Sequence, residues 1–516
     1  MRALLLVRRG APLTRSHVHT LRCKGFEPFA LSSLPADGGA QFRRMCADIE
    51  VEHAVSQGVT ITSDEVAAVV KAVDGLVFCL TQADSLRPLM AEANRLLGAP
   101  DVAPEALVHT LDKHLMRKAL NTTIESLRVT DPVLRQRIEA GETFVVKPRR
   151  GVGSLCVGLV REWADVEALQ RAFDEGPADA DMMAEYFADN ELIAESFFDG
   201  REISLEIIRR DGVSAYVVDH DKTLIEFGAD TVLERGMASP VTILDDEELD
   251  RAKTVAQQAM DVLGLTDGGY HVELRVNAEG TAEIVEINPR VGGGMVWESI
   301  HLQYGRSITD DWIDVLSGRP VTALGERRCG TYAQLAYPRE QRQLLGVDRN
   351  EAMPEPEIYD ELITPGDVPI AHREYFGALV LWRTKLATHR EEVAALVPVE
   401  YCDFVYSPGL TGRPVLLVLE PDWDTLRAAV AVDGVDVVVC HQGPVVVTPE
   451  YDGVRDGLAL LVQVPDWSTV DVVLDAVAGA EIADIMAPHD VTRQAEARLR
   501  KALAQRRQPR RPRGAA

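Results

Sequence analysis

"EIVEINPRVGGG", Glu283 to Gly294, decides how this chain is read. Its first half alternates acids with aliphatic residues, as a half-buried strand does, so Glu286 and Asn288, two apart, share one face. An acid left unpaired on the inward side of such a strand costs several kcal/mol, so the face must offer it a partner. The second half, Pro-Arg followed by Val and three glycines, ends the strand in a cation and a turn of bare backbone. "YHVELRV" (270–276) precedes the stretch, and the intervening "NAEGTA" is a turn signal that joins the two strands as a hairpin. Glu273 then reaches the face of Glu286 and Asn288 from the neighbouring strand. Three oxygen donors on rigid strands, with room for phosphate oxygens and water, suit Mg²⁺. Asn288, standing before proline, also reads as a plain turn residue.

Upstream, "ELIAESFFDGREISLEII" (191–208) reads as a strand, a break at Asp199-Gly200, and a second strand starting with Glu202. "TFVVKPRRGVGSLCVGLV" (143–160) reads as strand, Gly-rich turn and strand. A phosphate loop of the G-x-x-x-x-G-K-[ST] type carries its lysine last and opens a helix. Here Lys147 precedes the glycines and β-rich sequence follows them, so the segment is a hairpin flap with its lysine on the entering strand. "TLDKHLMRKAL" (110–120) reads as one amphipathic helix carrying Lys113.

Towards the start, "ALLLV" (3–7), "EPFALSS" (27–33) and "GLVFCL" (75–80) read as short buried strands, with "SDEVAAVVKAV" as a helix capped by Ser63. Strands alternating with helices imply a parallel sheet. This block ends near "LGAPDVAP" (97–104), where Gly and Pro cluster. Towards the end, "PVLLVLEPDWDTLRAAV" (414–430) and "ALLVQVPDWSTVDVVLDAV" (459–477) repeat strand, Pro-Asp-Trp and helix, with Asp424 and Ser468 as expected caps. Neither copy carries a lysine, a Gly-rich loop or an acid pair, so a small α+β appendage packed through Trp423 and Trp467 is expected.

With 516 residues the chain exceeds one core. A net charge of −27 argues against a nucleic-acid partner, since phosphate binding needs a basic face. The exception, five arginines in the final "RRQPRRPRGAA", reads as a disordered solubilising tail. Seven cysteines without a C-x-x-C pair suggest reduced thiols in a cytoplasmic protein. No apolar run approaches the ~18 residues that span a membrane, and no membrane partner is expected.

In their order, these features resemble the ATP-grasp superfamily of ATP-dependent carboxylate-amine ligases, and "EINPRVGGG" is most similar to the L-amino-acid ligases, the dipeptide synthetases. The resemblance covers roughly residues 1–400, including "EYFGALVLWRTKLATHREEV" (374–393). It implies an α/β and α+β chain of the ATP-grasp fold: a leading α/β domain (1–105), a small lobe with the flap (106–194), a large lobe with the ligase C-terminal segment (195–410), the repeat appendage (411–495) and the basic tail (496–516). It implies ATP and Mg²⁺ or Mn²⁺ as cofactors. Lys113 and Lys147 would contact the phosphates under a flap formed by Gly151, Gly153 and Ser154. Backbone from Ser196 to Phe198 would hold adenine, with Glu195 near its amine and Glu202 on the ribose. Glu273, Glu286 and Asn288 would hold the metal, and Arg290 with the Gly292–Gly294 turn, Gly293 at its centre, would face the acceptor. His271 is either a substrate or phosphate contact or a satisfied structural histidine.

The implied reaction converts a carboxylate into an acyl phosphate, which an amine then attacks, giving an amide, ADP and phosphate. The expected partners are small-molecule acid and amine substrates, amino acids in this family, with a homodimer as a candidate assembly. Two other readings stay open: a carboxylase-like or nucleotide-precursor ligase activating bicarbonate or a metabolite acid, and a non-catalytic nucleotide-binding protein.

Overall fold

The computed structural model describes the chain except residues 11–13, 36, 121, 177–189, 371–374, 444, 446–447, 466, 468–469 and 507–516. It divides into two compact units, Met1–Leu335 with Pro356–Ile358 and Val380–Val399, and Ala336–Glu355 with Tyr359–Leu379 and Glu400–Ala516.

In the first unit, strands Arg2–Val7, Glu27–Ser32, Glu52–Val55 and Leu76–Leu80 form a parallel sheet in the order third, second, first, fourth. "ALLLV" is buried end to end, as an all-apolar strand of a covered parallel sheet should be. The helix Ser63–Ala72 is capped by Thr62, not by Ser63: the Thr62 hydroxyl accepts from the Glu65 N–H while the Glu65 carboxylate accepts from the Thr62 N–H.

The single helix expected over 110–120 is two, Pro104–Leu111 and Lys113–Leu120. Asp112 between them is extended, at φ −117° and ψ 100°, and its carboxylate accepts the Leu115 N–H at 3.0 Å. The break places Lys113 at the start of a helix, with its own N–H donated to the Arg149 carbonyl at 3.0 Å.

The flap has the expected form: Phe144–Pro148 and Gly158–Val160 pair antiparallel. Phe144–Pro148 also pairs with Leu192–Ser196, which pairs with Ser126–Arg128, closing a small second sheet.

The largest sheet runs, strand beside strand, Ala282–Asn288, Gly268–Val276, Arg201–Arg210, Val213–Phe227, Val232–Ser239, Gly330–Ala336, Ala378–Thr384 and Ile358–Glu361. Strand periodicity divides its residues cleanly. Ile203, Leu205 and Ile207, Tyr270, Val272 and Leu274, and Ile284 and Ile287 join one buried cluster with Ala252, Ala256 and Met260 of the helix Asp246–Val262. Residues of the other parity, Glu202, Ser204, Glu206, His271, Glu273 and Arg275, share the opposite face. Between Glu273 and Leu274 the register slips, pairing Glu273 with Glu286 but Leu274 with Ile284. The extra residue, Val285, makes a bulge, and the Arg117 guanidinium donates to the carbonyls of Ile284 and Val285 there.

In the second unit, strands Val415–Leu419, Asp436–His441, Leu458–Gln463 and Ile482–Met486 form a sheet in the order third, second, first, fourth. All pairings are parallel, which refines the expected α+β appendage to a parallel βα layer. The cap of the helix Trp423–Val430 is Asp422, accepting from Thr425 N–H at 2.7 Å, and not Asp424. Ser468 lies outside the described residues, and the second helix is the shorter Asp471–Ala476. Trp467 is buried in this layer's own core. Residues 490–506 are helical, so the stretch expected as tail from 496 starts as helix; the rest of "RRQPRRPRGAA" lies outside the described residues. All seven cysteines are free thiols, and among the described residues no helix is long and apolar enough to cross a membrane.

Candidate active site

The register of the large sheet assembles the polar face. Glu206 stands opposite His271, Ser204 opposite Glu273 and Glu202 opposite Arg275, while His271 stands opposite Asn288 and Glu273 opposite Glu286 on the other side. The three proposed metal donors are therefore brought together on adjacent strands. Two carboxylates directly opposite repel each other unless cations lie between them. Lys222, from the next strand, binds Glu273 at 3.0 Å, Glu202 at 3.0 Å and Glu234 at 3.5 Å. Lys113 binds Glu286 at 3.0 Å and donates to the Gly151 carbonyl of the flap at 3.3 Å. Burial opposes both ammonium groups, yet the acids around each outweigh it and hold both pKa values above the ordinary lysine value.

His271 lies between two carboxylates. Its Nδ1 donates to Glu206 in a very short contact and its Nε2 to Glu273 at 3.1 Å. Burial lowers the affinity of the ring for a proton, but the two acids overcome it and push its pKa up to about 10, so both nitrogens carry protons at neutral pH. The second oxygen of Glu206 accepts the Gly292 N–H at 2.9 Å.

Lys147 and Glu195 are brought together as an ion pair at 2.7 Å, with Arg117 on the other side of Glu195 at 2.8 Å. One carboxylate shared by two cations is strongly stabilised: its pKa falls to about 2 although burial works the other way. Lys147, desolvated and beside Arg117 and Lys113, is shifted below the usual lysine value. The Ser196 and Phe197 N–H groups are already bonded to the carbonyls of Glu125 and Thr143, and the Phe198 carbonyl accepts from Arg275 at 3.3 Å. Glu202 is held by Arg275 at 2.8 Å as well as by Lys222. In the flap, Gly153 and Ser154 adopt positive φ values of 63° and 48°.

Arg290 points its guanidinium at Asp84, Nε lying 3.1 Å from one carboxylate oxygen and Nη2 3.1 Å from the other, while Nη1 donates to the Val291 carbonyl at 3.0 Å. It borders a cavity of about 460 Å³ lined by Leu5 to Arg9, Thr81 to Asp84, Val152 of the flap, Arg290 to Gly293 and Trp297. The cavity lies at the carboxyl ends of the first and fourth strands of the N-terminal sheet, which are its topological switch point, the place where open parallel sheets bind ligands. Gly292 and Gly293 differ. A Cβ on Gly292 would stand 2.7 Å from Glu206 and 2.9 Å from His271, whereas Gly293 is exposed with open space around it.

Sequence reasoning missed Lys222, Glu206, Arg117 and Asp84. Lys222 and Glu206 had a signal, since both are charges inside aliphatic strands ("YVVDHDKTLI" and "ISLEII"). Arg117 and Asp84 had none, because their partners are 78 and 206 residues away.

Among the described residues no group of three or more His, Cys, Asp or Glu side chains is arranged to hold a metal. Glu273, Glu286 and Asn288 nevertheless fit Mg²⁺ as a partial set: two carboxylates and an amide are hard oxygen donors, and such an ion draws its remaining ligands from phosphate and water.

Comparison with known proteins bears on the fold and on the kind of protein the chain resembles. Residues 140–298 match the ATP-grasp domain family. Alanine–anticapsin ligase of Bacillus amyloliquefaciens is 28% identical over 246 residues, 44% of this chain and 51% of that protein; the chain thus spans about half the length of the curated relatives it matches. Among solved structures, L-amino acid ligase from Bacillus licheniformis superposes with a TM-score of 0.62 at 16% identity over 79% of this chain and 99% of that one. N5-carboxyaminoimidazole ribonucleotide synthetase from Thermotoga maritima superposes with a TM-score of 0.53 at 15% identity, over 79% of this chain and all of that one. The chain has the ATP-grasp fold, with an ATP-grasp domain over residues 140–298. In sequence and fold it resembles the L-amino-acid ligases.

Proposed function

We propose that the protein is an ATP-dependent carboxylate-amine ligase that joins amino acids through an acyl phosphate, releasing ADP and phosphate. The observation that carries this reading is the meeting of three parts around one cavity. These are the flap residue Val152, the Arg290–Gly293 turn that follows the acid face, and the switch point of the N-terminal sheet. Lys113, between Glu286 and the flap carbonyl of Gly151, is set to hold phosphate oxygens as the flap closes. When bound, Mg²⁺ on Glu273, Glu286 and Asn288 would neutralise phosphate charge, the main need of phosphoryl transfer. Lys147 with Arg117 and Glu195, and the 196–198 segment, would form the nucleotide's other contacts, with Glu202 at the ribose.

In the first step an acid substrate's carboxylate oxygen attacks the γ-phosphorus and the bond to the β-phosphate oxygen breaks. Arg290, kept charged and oriented by Asp84, would stabilise the acid and then the tetrahedral oxyanion formed when the amine attacks the acyl carbon and expels phosphate. Water must be excluded meanwhile, which gives the flap its task. The protein's place of action would be the cytoplasm, with free amino acids as substrates and no nucleic-acid or membrane partner.

A second reading is a carboxylase-like or nucleotide-precursor ligase activating bicarbonate or another metabolite acid, with which the shared fold of the N5-carboxyaminoimidazole ribonucleotide synthetase is compatible. ADP release measured over a panel of L-amino acid pairs, and with bicarbonate, tests both. Dependence on two amino acids supports the ligase; dependence on bicarbonate supports the alternative; no ADP release under any condition points to a non-catalytic nucleotide-binding protein.

A further inference from the structure

Glu206 belongs to none of the roles assigned above, yet it is the most deeply buried acid of the polar face, with no exposed surface. Such a carboxylate is tolerated only when both oxygens are satisfied. One oxygen takes the Nδ1–H of His271, and the other takes the backbone N–H of Gly292 at 2.9 Å. His271 in turn reaches Glu273 through Nε2 at 3.1 Å. A chain of hydrogen bonds therefore runs from the acid pair Glu273–Glu286, through the imidazole and Glu206, into the turn that carries Arg290. Gly292 is a glycine for the same reason, because any Cβ there would press on Glu206 at 2.7 Å and on His271 at 2.9 Å.

We infer that Glu206 is a positioning residue, which locks the Arg290–Gly294 turn in register with the carboxylate face by holding His271 and the Gly292 amide at once. The inference rests on the ligase reading for its kinetic consequence, but the mechanical link is a property of the fold and is measurable without any substrate. Without Glu206, the Gly292 N–H loses its acceptor and His271 loses the contact that fixes its ring plane. Arg290, two residues before Gly292, then samples orientations away from the cavity, and a small misplacement of a catalytic group costs rate steeply.

The test uses the full chain and two variants. Glu206→Gln removes the charge at constant shape, and Gly292→Ala leaves the acid in place but pushes the turn off it, so it remains informative if the first variant folds poorly. Hydrogen-exchange mass spectrometry, with the magnesium complex of a non-hydrolysable ATP analogue as the only ligand, follows the segment 288–296. Exchange there is expected to rise at least about tenfold in both variants, with exchange in the helix Asp246–Val262 unchanged. In the amino-acid-dependent ADP assay, kcat is expected to fall on the order of 10²-fold while affinity for the analogue changes less than about threefold. Unchanged exchange over 288–296 in both variants, or a rise spread uniformly over the unit, overturns the inference. If the wild-type chain releases no ADP with any amino-acid pair, the ligase reading fails while the exchange result still decides the role of Glu206.

Discussion

Arg290 leaves the strand two residues after Asn288 and is met by Asp84, from the loop after a strand of a different sheet, at 3.1 Å. A guanidinium can bind one carboxylate with one edge and still present donors on another; an ammonium cannot. Arg290→Lys therefore keeps the charge but loses the fork, and is predicted to retain affinity for a non-hydrolysable ATP analogue by calorimetry while amide formation falls on the order of 10²-fold. Equal losses in nucleotide affinity and turnover would assign Arg290 to the nucleotide instead. A second residue-scale prediction concerns His220, wholly buried with Nε2 at 3.0 Å from Ser299 Oγ. Burial depresses its pKa to about 4, below the ordinary 6.5, so the folded protein holds it neutral where the unfolded chain protonates it. Its contribution is complete above about pH 6.5 and is lost as pH falls towards 4. Between pH 7 and pH 5 the wild type should lose on the order of 2 kcal/mol more stability in urea unfolding than His220→Gln does. An equal loss in both would remove His220 as the source.

At the scale of elements, the two glycine turns make different demands. Gly153 in the flap sits at φ 63°, where any L-residue is strained, while Gly293 has neither a positive φ nor a neighbour within reach of a Cβ. Gly153→Ala is predicted to cost about 1 kcal/mol in thermal or urea unfolding from backbone strain alone. Gly293→Ala should leave stability within about 0.5 kcal/mol yet lower turnover if, as proposed, this turn faces the acceptor, because its methyl group would enter that open space. Normal turnover in Gly293→Ala would make that glycine a spacer. What the sequence disclosed about these elements follows from the range of the signal. Alternation in "YHVELRV" and "EIVEIN" is local, so the hairpin, its inward acids and the flap were legible. The break at Asp112 was not, because a helix-compatible pattern continues through it and only the side-chain cap on Leu115 ends one helix and starts the next. The Val285 bulge was not legible either, since Arg117, which satisfies its carbonyl, comes from a different helix. Lys222 carries a legible signal of its own, since an inward lysine among aliphatics asks for acids just as Glu286 asks for a base.

Across the whole molecule, two parallel sheets at opposite ends of the sequence share the strand order third, second, first, fourth. The N-terminal one places its switch point against the cavity beside Arg290, and the large sheet between them in sequence supplies Glu206, Glu273, Glu286, His271 and Lys222. Whether these parts together make an amide-forming ligase is decided by coupled ADP release with mass spectrometry of the products over all pairs of the common L-amino acids at saturating ATP and Mg²⁺. ADP release is expected to require two amino acids and to yield one dipeptide per ADP. ADP release that needs bicarbonate, or that proceeds without a condensed product, would contradict the ligase reading.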